Sequence, residues 1–152
     1  MKLRNPIQND MAFLRRTLLG GMLDALERNH RQRENLHLFE IGRVYFPEKD
    51  GVREESRCVG LVKAGEASWH AAKCDVEAVL EAFQIRGAQW ERLDEASLAW
   101  AHPGRLARVR VGKLVLGRMS EIHPRILGAM DCESRAAAWE IELEALRKVA
   151  GD

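Results

Sequence analysis

Two short stretches carry the side chains best suited to chemistry, His102-Pro103-Gly104-Arg105 and Glu121-Ile122-His123-Pro124. Each places an imidazole directly before a proline, and the two flank what reads as one hairpin. The pattern fits a metal pair or an acid–base site, with Glu121 as third ligand or orienter. It also fits architecture, each imidazole donating to a backbone carbonyl and fixing a rigid X-Pro corner. Metal sites space their ligands more tightly, and no third His or nearby Cys joins these two, so the architectural reading is preferred. Gly42-Arg43, inside an apolar run, offers a guanidinium to a phosphate. Equally, Gly42 allows close backbone approach and Arg43 pairs with Glu40 or Glu48. A basic segment containing Arg28, His30, Arg31 and Arg33 could touch an RNA backbone. Glu27 and Glu34 sit within the same stretch, which suits a solvated connection better.

Other chemistries find no support in the residues. Ser56, Ser68 and Ser97 lack a G-x-S-x-G elbow, and no G-x-x-x-x-G-K-[ST] loop exists. Trp69, Trp90, Trp100 and Trp139 are too scattered in sequence to form a stacking platform and suit core or interface positions. Cys58, Cys74 and Cys132 have no C-x-x-C spacing, so reduced and mostly buried thiols are expected rather than disulfides or a zinc ribbon. The chain has 152 residues, 46% of them apolar and 31% charged, which describes a globular domain with its own core. A net charge of +1 argues against a globally electrostatic partner such as nucleic acid or a membrane. No apolar run is long enough to span a bilayer and the N-terminus has no signal-like core, so a cytoplasmic protein is expected.

These residues must be positioned by elements that the periodicity predicts. Asn5-Pro6 reads as an extended or turn start. Apolar residues from Met11 through Leu14, Leu18 and Met22 to Leu26 predict a helix from Asp10 to about Asn29, weakened or divided by Gly20-Gly21. Leu36–Phe46 reads as a strand stopped by Pro47 and the turn Lys49-Asp50-Gly51. Its antiparallel partner is residues 57–64, across a long hairpin loop. Residues 73–85 return to helical period, with Asp75 near the helix start, where its charge would complement the dipole. Residues 106–111 and Leu114–Met119 form a second hairpin around Gly112-Lys113. A short helix over Arg125–Met130, a strand over Ala137–Leu143 and a terminal helical turn complete the chain. Strands grouped as hairpins with helices between them predict one α+β domain, an antiparallel sheet flanked by helices.

Taken in order, these stretches resemble the beta subunit of bacterial phenylalanyl-tRNA synthetase. Asn5-Pro6-Ile7 with Leu14-Arg15-Arg16-Thr17-Leu18-Leu19-Gly20-Gly21 is similar to its N-P-L … L-R-x-S-L-L-P-G opening. Leu38-Phe39-Glu40-Ile41-Gly42-Arg43-Val44-Tyr45 resembles L-F-E-I-G-R-V-F, and Lys73–Leu80 resembles K-G-D-V-E-x-L-L. Ala101–Ala107 is similar to L-H-P-G-R-S-A, Gly117–Pro124 to G-x-x-G-E-L-H-P, and Glu140–Leu146 to E-L-D-L-D-A-L. Gly20 stands where the family has Pro; Cys74 and Ser120 stand where it has Gly. The similarity covers only the family's synthetase-like core, so residues 1–152 are expected to form that module without editing or anticodon-binding domains.

The resemblance implies a class II synthetase catalytic-like fold without catalysis. An active domain would follow Gly42-Arg43-Val44-Tyr45 with an Arg gripping the ATP α-phosphate, and this chain has Phe46 and then Pro47. A closing G-x-G-x-x-R would supply an Arg for the γ-phosphate, whereas residues 139–148 hold no Gly and only Arg147. Without those cations adenylate formation loses its main electrostatic support. The resemblance further implies a catalytic alpha subunit as partner, with contact to tRNA-Phe at most indirect. It implies no cofactor on this chain, the family's ATP and Mg being used through parts it lacks. Arg15, Glu40, Gly42, Arg43, His102, Pro103, Gly104, Arg105, Glu121, His123 and Pro124 are expected to define the fold, with His102, Arg105 and Glu121 in one hydrogen-bonded corner. The alternative is a free-standing paralogue binding RNA through Arg28, Arg31 and Arg33. Isolated from neighbouring domains, the module is also a candidate for self-association.

Overall fold

In the computed structural model, residues 14–93 and 98–151 are described. Six strands form one sheet in the order β1-β2-β6-β5-β4-β3, and every neighbouring pair is antiparallel. The strands are β1 (Leu36–Glu48), β2 (Gly51–Lys63), β3 (Gln89–Leu93), β4 (Ala101–Val111), β5 (Leu114–Ile122) and β6 (Ala136–Glu142). One face carries α1 (Leu19–Asn29) and α3 (Pro124–Ala129) over a core of Leu18, Leu26, Val44, Leu61 and Ile122. The other carries α2 (Ser68–Ala82) and α4 (Leu143–Ala150) over Val62, Val76, Val109, Met119 and Leu146. The α+β class is thus as the sequence predicts.

Several boundaries differ, each for a local reason. The expected start of helix 10–29 lies partly outside the described residues, and Leu14–Leu18 are not helical. There the chain lies against β1: Tyr45 N donates to Arg15 O at 2.9 Å and Arg15 Nε to Arg43 O at 2.9 Å. Leu18 is buried although it precedes the helix, so an apolar stripe read as helical period partly belongs to a core-facing segment outside the helix. Gly20-Gly21 fall in the first turn of α1 and do not divide it. Pro47 does not stop β1, which runs on to Glu48. An edge strand tolerates proline because one row of its N–H groups has no ladder partner. The β1–β2 connection is only Lys49-Asp50, with Glu48 paired to Gly51, because β2 begins six residues before the expected 57. Helix α2 likewise starts at Ser68, after a 3-10 turn at Gly65–Ala67. Asp75 therefore sits two turns in, away from the helix start, and accepts Trp139 Nε1–H at 3.2 Å and pairs with His37 Nε2 at 2.5 Å. Strand β3 is too short and too charged to announce itself by periodicity.

Cys58 and Cys132 are buried and Cys74 is exposed, all three free. No described helix is long and apolar enough to cross a membrane.

Candidate functional site

The register of β1 and β2 sets Phe46 opposite Arg53, Val44 opposite Glu55 and Gly42 opposite Arg57. With side chains alternating along each strand, all six project from the α1 face. Glu140 of β6 and Glu91, Arg108 and Arg118 of the distal strands continue that row across the sheet. The Phe46 ring lies beneath two guanidiniums, with Arg53 Cζ at 5.1 Å and Arg57 Cζ at 5.5 Å from its centroid. Both cations are held by one buried carboxylate: Arg53 Nη1 and Arg57 Nη2 each donate to Glu55. Arg57 also pairs with Glu140 at 3.3 Å, and Glu140 accepts from Thr17 Oγ1 at 3.2 Å. Farther along, Glu91 receives Arg108 through two 2.9 Å bonds and Arg110 at 3.2 Å. The Arg108 hydrogen bond holds the Glu91 carboxyl below the usual Glu range, aided by the Arg108 and Arg110 charges. Arg53, Arg57, Arg108 and Arg110 thus form a lattice of guanidiniums matched by carboxylates, while Arg118 is exposed.

This lattice escaped the sequence reading although its signal was there. Arg53, Glu55 and Arg57 recur at period two, as do Arg108 and Arg110, and that spacing aligns side chains on one side of a strand.

The Gly42 corner forms, with different partners from those expected. Glu40 takes Arg15 Nη1 at 2.7 Å, and Arg43 pairs with Glu54 at 3.0 Å in place of Glu40 or Glu48. Glu48 is taken by Arg53 at 3.1 Å. A Cβ on Gly42 would stand 2.5 Å from Arg15 Nη2, so the glycine admits the guanidinium over the strand.

The two X-Pro stretches sit at the end of the β4–β5 hairpin. Between the Ala101–Ile122 and Leu106–Ser120 pairs, β4 advances five residues against two on β5, so Pro103 and Gly104 bulge out of the ladder. Arg105 Nη1 grips both oxygens of Glu121 at 2.7 Å, and the Glu121 side chain is only 9% exposed. His102 does not join that pair: its Nδ1 accepts from Gly104 N at 3.1 Å. The link runs through Ser120 Oγ, which accepts from His102 N and donates to Arg105 O. His123 Nδ1 accepts from Arg125 N at 3.1 Å and caps α3, with Pro124 at the first helical position. Both imidazoles thus accept backbone N–H groups, where donation to carbonyls was expected. Among the described residues no cluster of three His, Cys, Asp or Glu side chains could hold a metal ion.

Arg28, Arg31 and Arg33 are exposed around the end of α1, and Arg31 is engaged by Asp131 at 3.1 Å. Beneath this turn buried Lys63 donates to the carbonyls of His30, Arg33 and Glu34 at 3.3, 2.8 and 2.6 Å. Sequence gave no hint of that lysine, whose contacts are to backbone.

The family model described as "Phenylalanyl tRNA synthetase beta chain CLM domain" matches residues 1–143. The chain belongs to that family. It is 32% identical over its full length to the phenylalanine–tRNA ligase beta subunit of Moorella thermoacetica, of which it covers 20%. It is 34% identical over 96% of its length to the Brucella abortus beta subunit, again covering 20% of that protein. The chain thus spans about a fifth of the curated relatives it matches. Among solved structures, the pyrrolysyl-tRNA synthetase PylSc of Desulfitobacterium hafniense superposes with TM-score 0.69 at 20% identity, over 87% of this chain and 48% of that one. The CLM-domain chain therefore has a class II synthetase-like fold.

Proposed function

We propose that this chain is the noncatalytic core module of a cytoplasmic phenylalanyl-tRNA synthetase beta subunit. Its role is to pack against the catalytic alpha subunit and so support charging of tRNA-Phe with phenylalanine. The observation that carries the noncatalytic half is Phe46, at the place where the class II resemblance puts the ATP-gripping arginine. The neighbouring guanidiniums that could substitute, Arg53 and Arg57, lie over the Phe46 ring and are neutralised by Glu55 and Glu140. A phosphate would have to displace carboxylates already hydrogen-bonded to those cations. Arg147 supports the same reading: it sits on α4, on the opposite face, paired with Glu144 at 3.0 Å. The contacts of Arg15 with Glu40, Arg43 with Glu54 and Arg105 with Glu121, each joining separate segments, support a fold-defining role for the motif residues. The direct test is ATP–pyrophosphate exchange with phenylalanine. The purified chain is expected to give none above background, and exchange abolished by Arg57→Gln would refute the reading.

A further inference from the structure

One feature that the proposed function does not use is a cleft of about 580 Å³ on the α2 side of the sheet, the face away from Phe46. Its floor is Met119 and Ala107, and two indoles line it from separate elements, Trp69 on α2 and Trp90 on β3. The four tryptophans looked too scattered for a stacking platform, and the fold brings these two to one cavity. Among the described residues neither indole N–H has a hydrogen-bond partner, unlike Trp139, whose N–H is taken by Asp75. The Lys73 ammonium lies 5.9 Å from the Trp90 centroid. Lys73, Arg105 and Arg135 line the cleft beside Glu66 and Glu121, and Arg92 at the same rim is itself engaged. Glu121 is occupied by Arg105. Glu66 binds Arg135 but is 83% exposed, so an incoming anion can take its place at small cost. Lys73 is likewise held only by an exposed pair with Glu77 at 3.3 Å.

Two indoles beside cations held only by exposed ion pairs, in a cavity of ligand size, suit a planar base carrying a phosphate. We infer that this cleft binds a nucleotide, its base against Trp69 or Trp90 and its phosphate at Lys73 and Arg135. The nucleotide is either free or part of a single-stranded RNA. The site is independent of the proposed synthetase role, because it uses neither the Phe46 face nor an alpha subunit.

The test follows the four indole N–H resonances in a ¹⁵N spectrum of the whole chain. The added probes are AMP, adenosine, inorganic phosphate and a short single-stranded RNA. Saturable shifts of the Trp69 and Trp90 signals are expected with AMP, RNA or both, with adenosine and phosphate each weaker than AMP if the nucleotide is free. AMP without RNA assigns a free nucleotide, and RNA without AMP a strand. Trp69→Leu and Lys73→Gln should each weaken binding roughly tenfold with the spectrum otherwise intact, which is what loss of one stacking or phosphate contact predicts. Arg118→Gln, on the opposite face, should change nothing. Absence of saturation at millimolar AMP and RNA would overturn the inference. So would shifts confined to Trp100, which lines a cleft on the Phe46 side, or capture of an acidic peptide with no nucleotide binding.

Discussion

Lys63 and Glu121 show how much a single buried charge can organise. The Lys63 ammonium has three donors and meets three carbonyls after the end of α1, so Lys63→Met removes the side-chain donor from all three. We expect a loss of about 3 kcal/mol in urea unfolding, at the level of a buried charged hydrogen-bond set. A loss below ~1 kcal/mol would show the turn holding itself. Arg105→Ala strands the Glu121 carboxylate and should cost about 3 kcal/mol, whereas pairing it with Glu121→Leu should recover much of that, since removing both charges removes the desolvation problem. Glu91 predicts a pH effect. Its pKa is lowered in the folded state, so its contribution is present above the unfolded Glu value and is lost as pH falls through the folded one. Glu91→Gln should flatten that acid limb, read as melting temperature against pH. At this scale the sequence was a partial guide. His102, Arg105, Glu121 and His123 stood out because proline and glycine punctuate them. Their partners did not, because backbone amides and a Ser120 hydroxyl leave no pattern in the residue string.

The elements were legible wherever period and punctuation agreed. The β4–β5 hairpin, α3 and β6 fall where alternation, Gly112 and Pro124 place them. Errors arose where tertiary contacts overrode local signals. Arg15 draws residues 14–18 along β1 rather than into α1, and an edge position lets β1 continue through Pro47. Packing also explains a glycine that the sequence left unremarked. A side chain on Gly60 would overlap the Trp139 indole, whose ring crosses β2 to reach Asp75 on α2. Gly60→Ala should therefore lower the melting temperature more than Gly42→Ala, where the flexible tip of Arg15 must move and Leu18 Cδ2 at 3.2 Å must give slightly. Equal losses would mean that the indole shifts freely. Alkylation checks the same packing, because burial pushes the Cys58 thiol up and shields it. Cys74 should react first, with Cys58 and Cys132 following only on unfolding.

For the molecule as a whole, a synthetase-like sheet carries a row of internal ion pairs on the Phe46 face. Matched guanidiniums and carboxylates tie neighbouring strands of that face together, with Arg53, Arg57, Arg108 and Arg110 each already paired. The fold class was readable because hairpin spacing and family-like motifs agreed along nearly the whole chain. The charge lattice was legible only within a strand, as the period-two Arg53, Glu55 and Arg57, because its cross-strand links join residues as distant as Arg57 and Glu140. The most direct test of the account is sedimentation of the purified chain with a phenylalanyl-tRNA synthetase alpha subunit from the same organism, without ATP or tRNA. We predict a faster-sedimenting complex of defined stoichiometry. Two components that sediment independently at micromolar concentration, with the chain itself well folded, would contradict the architectural role.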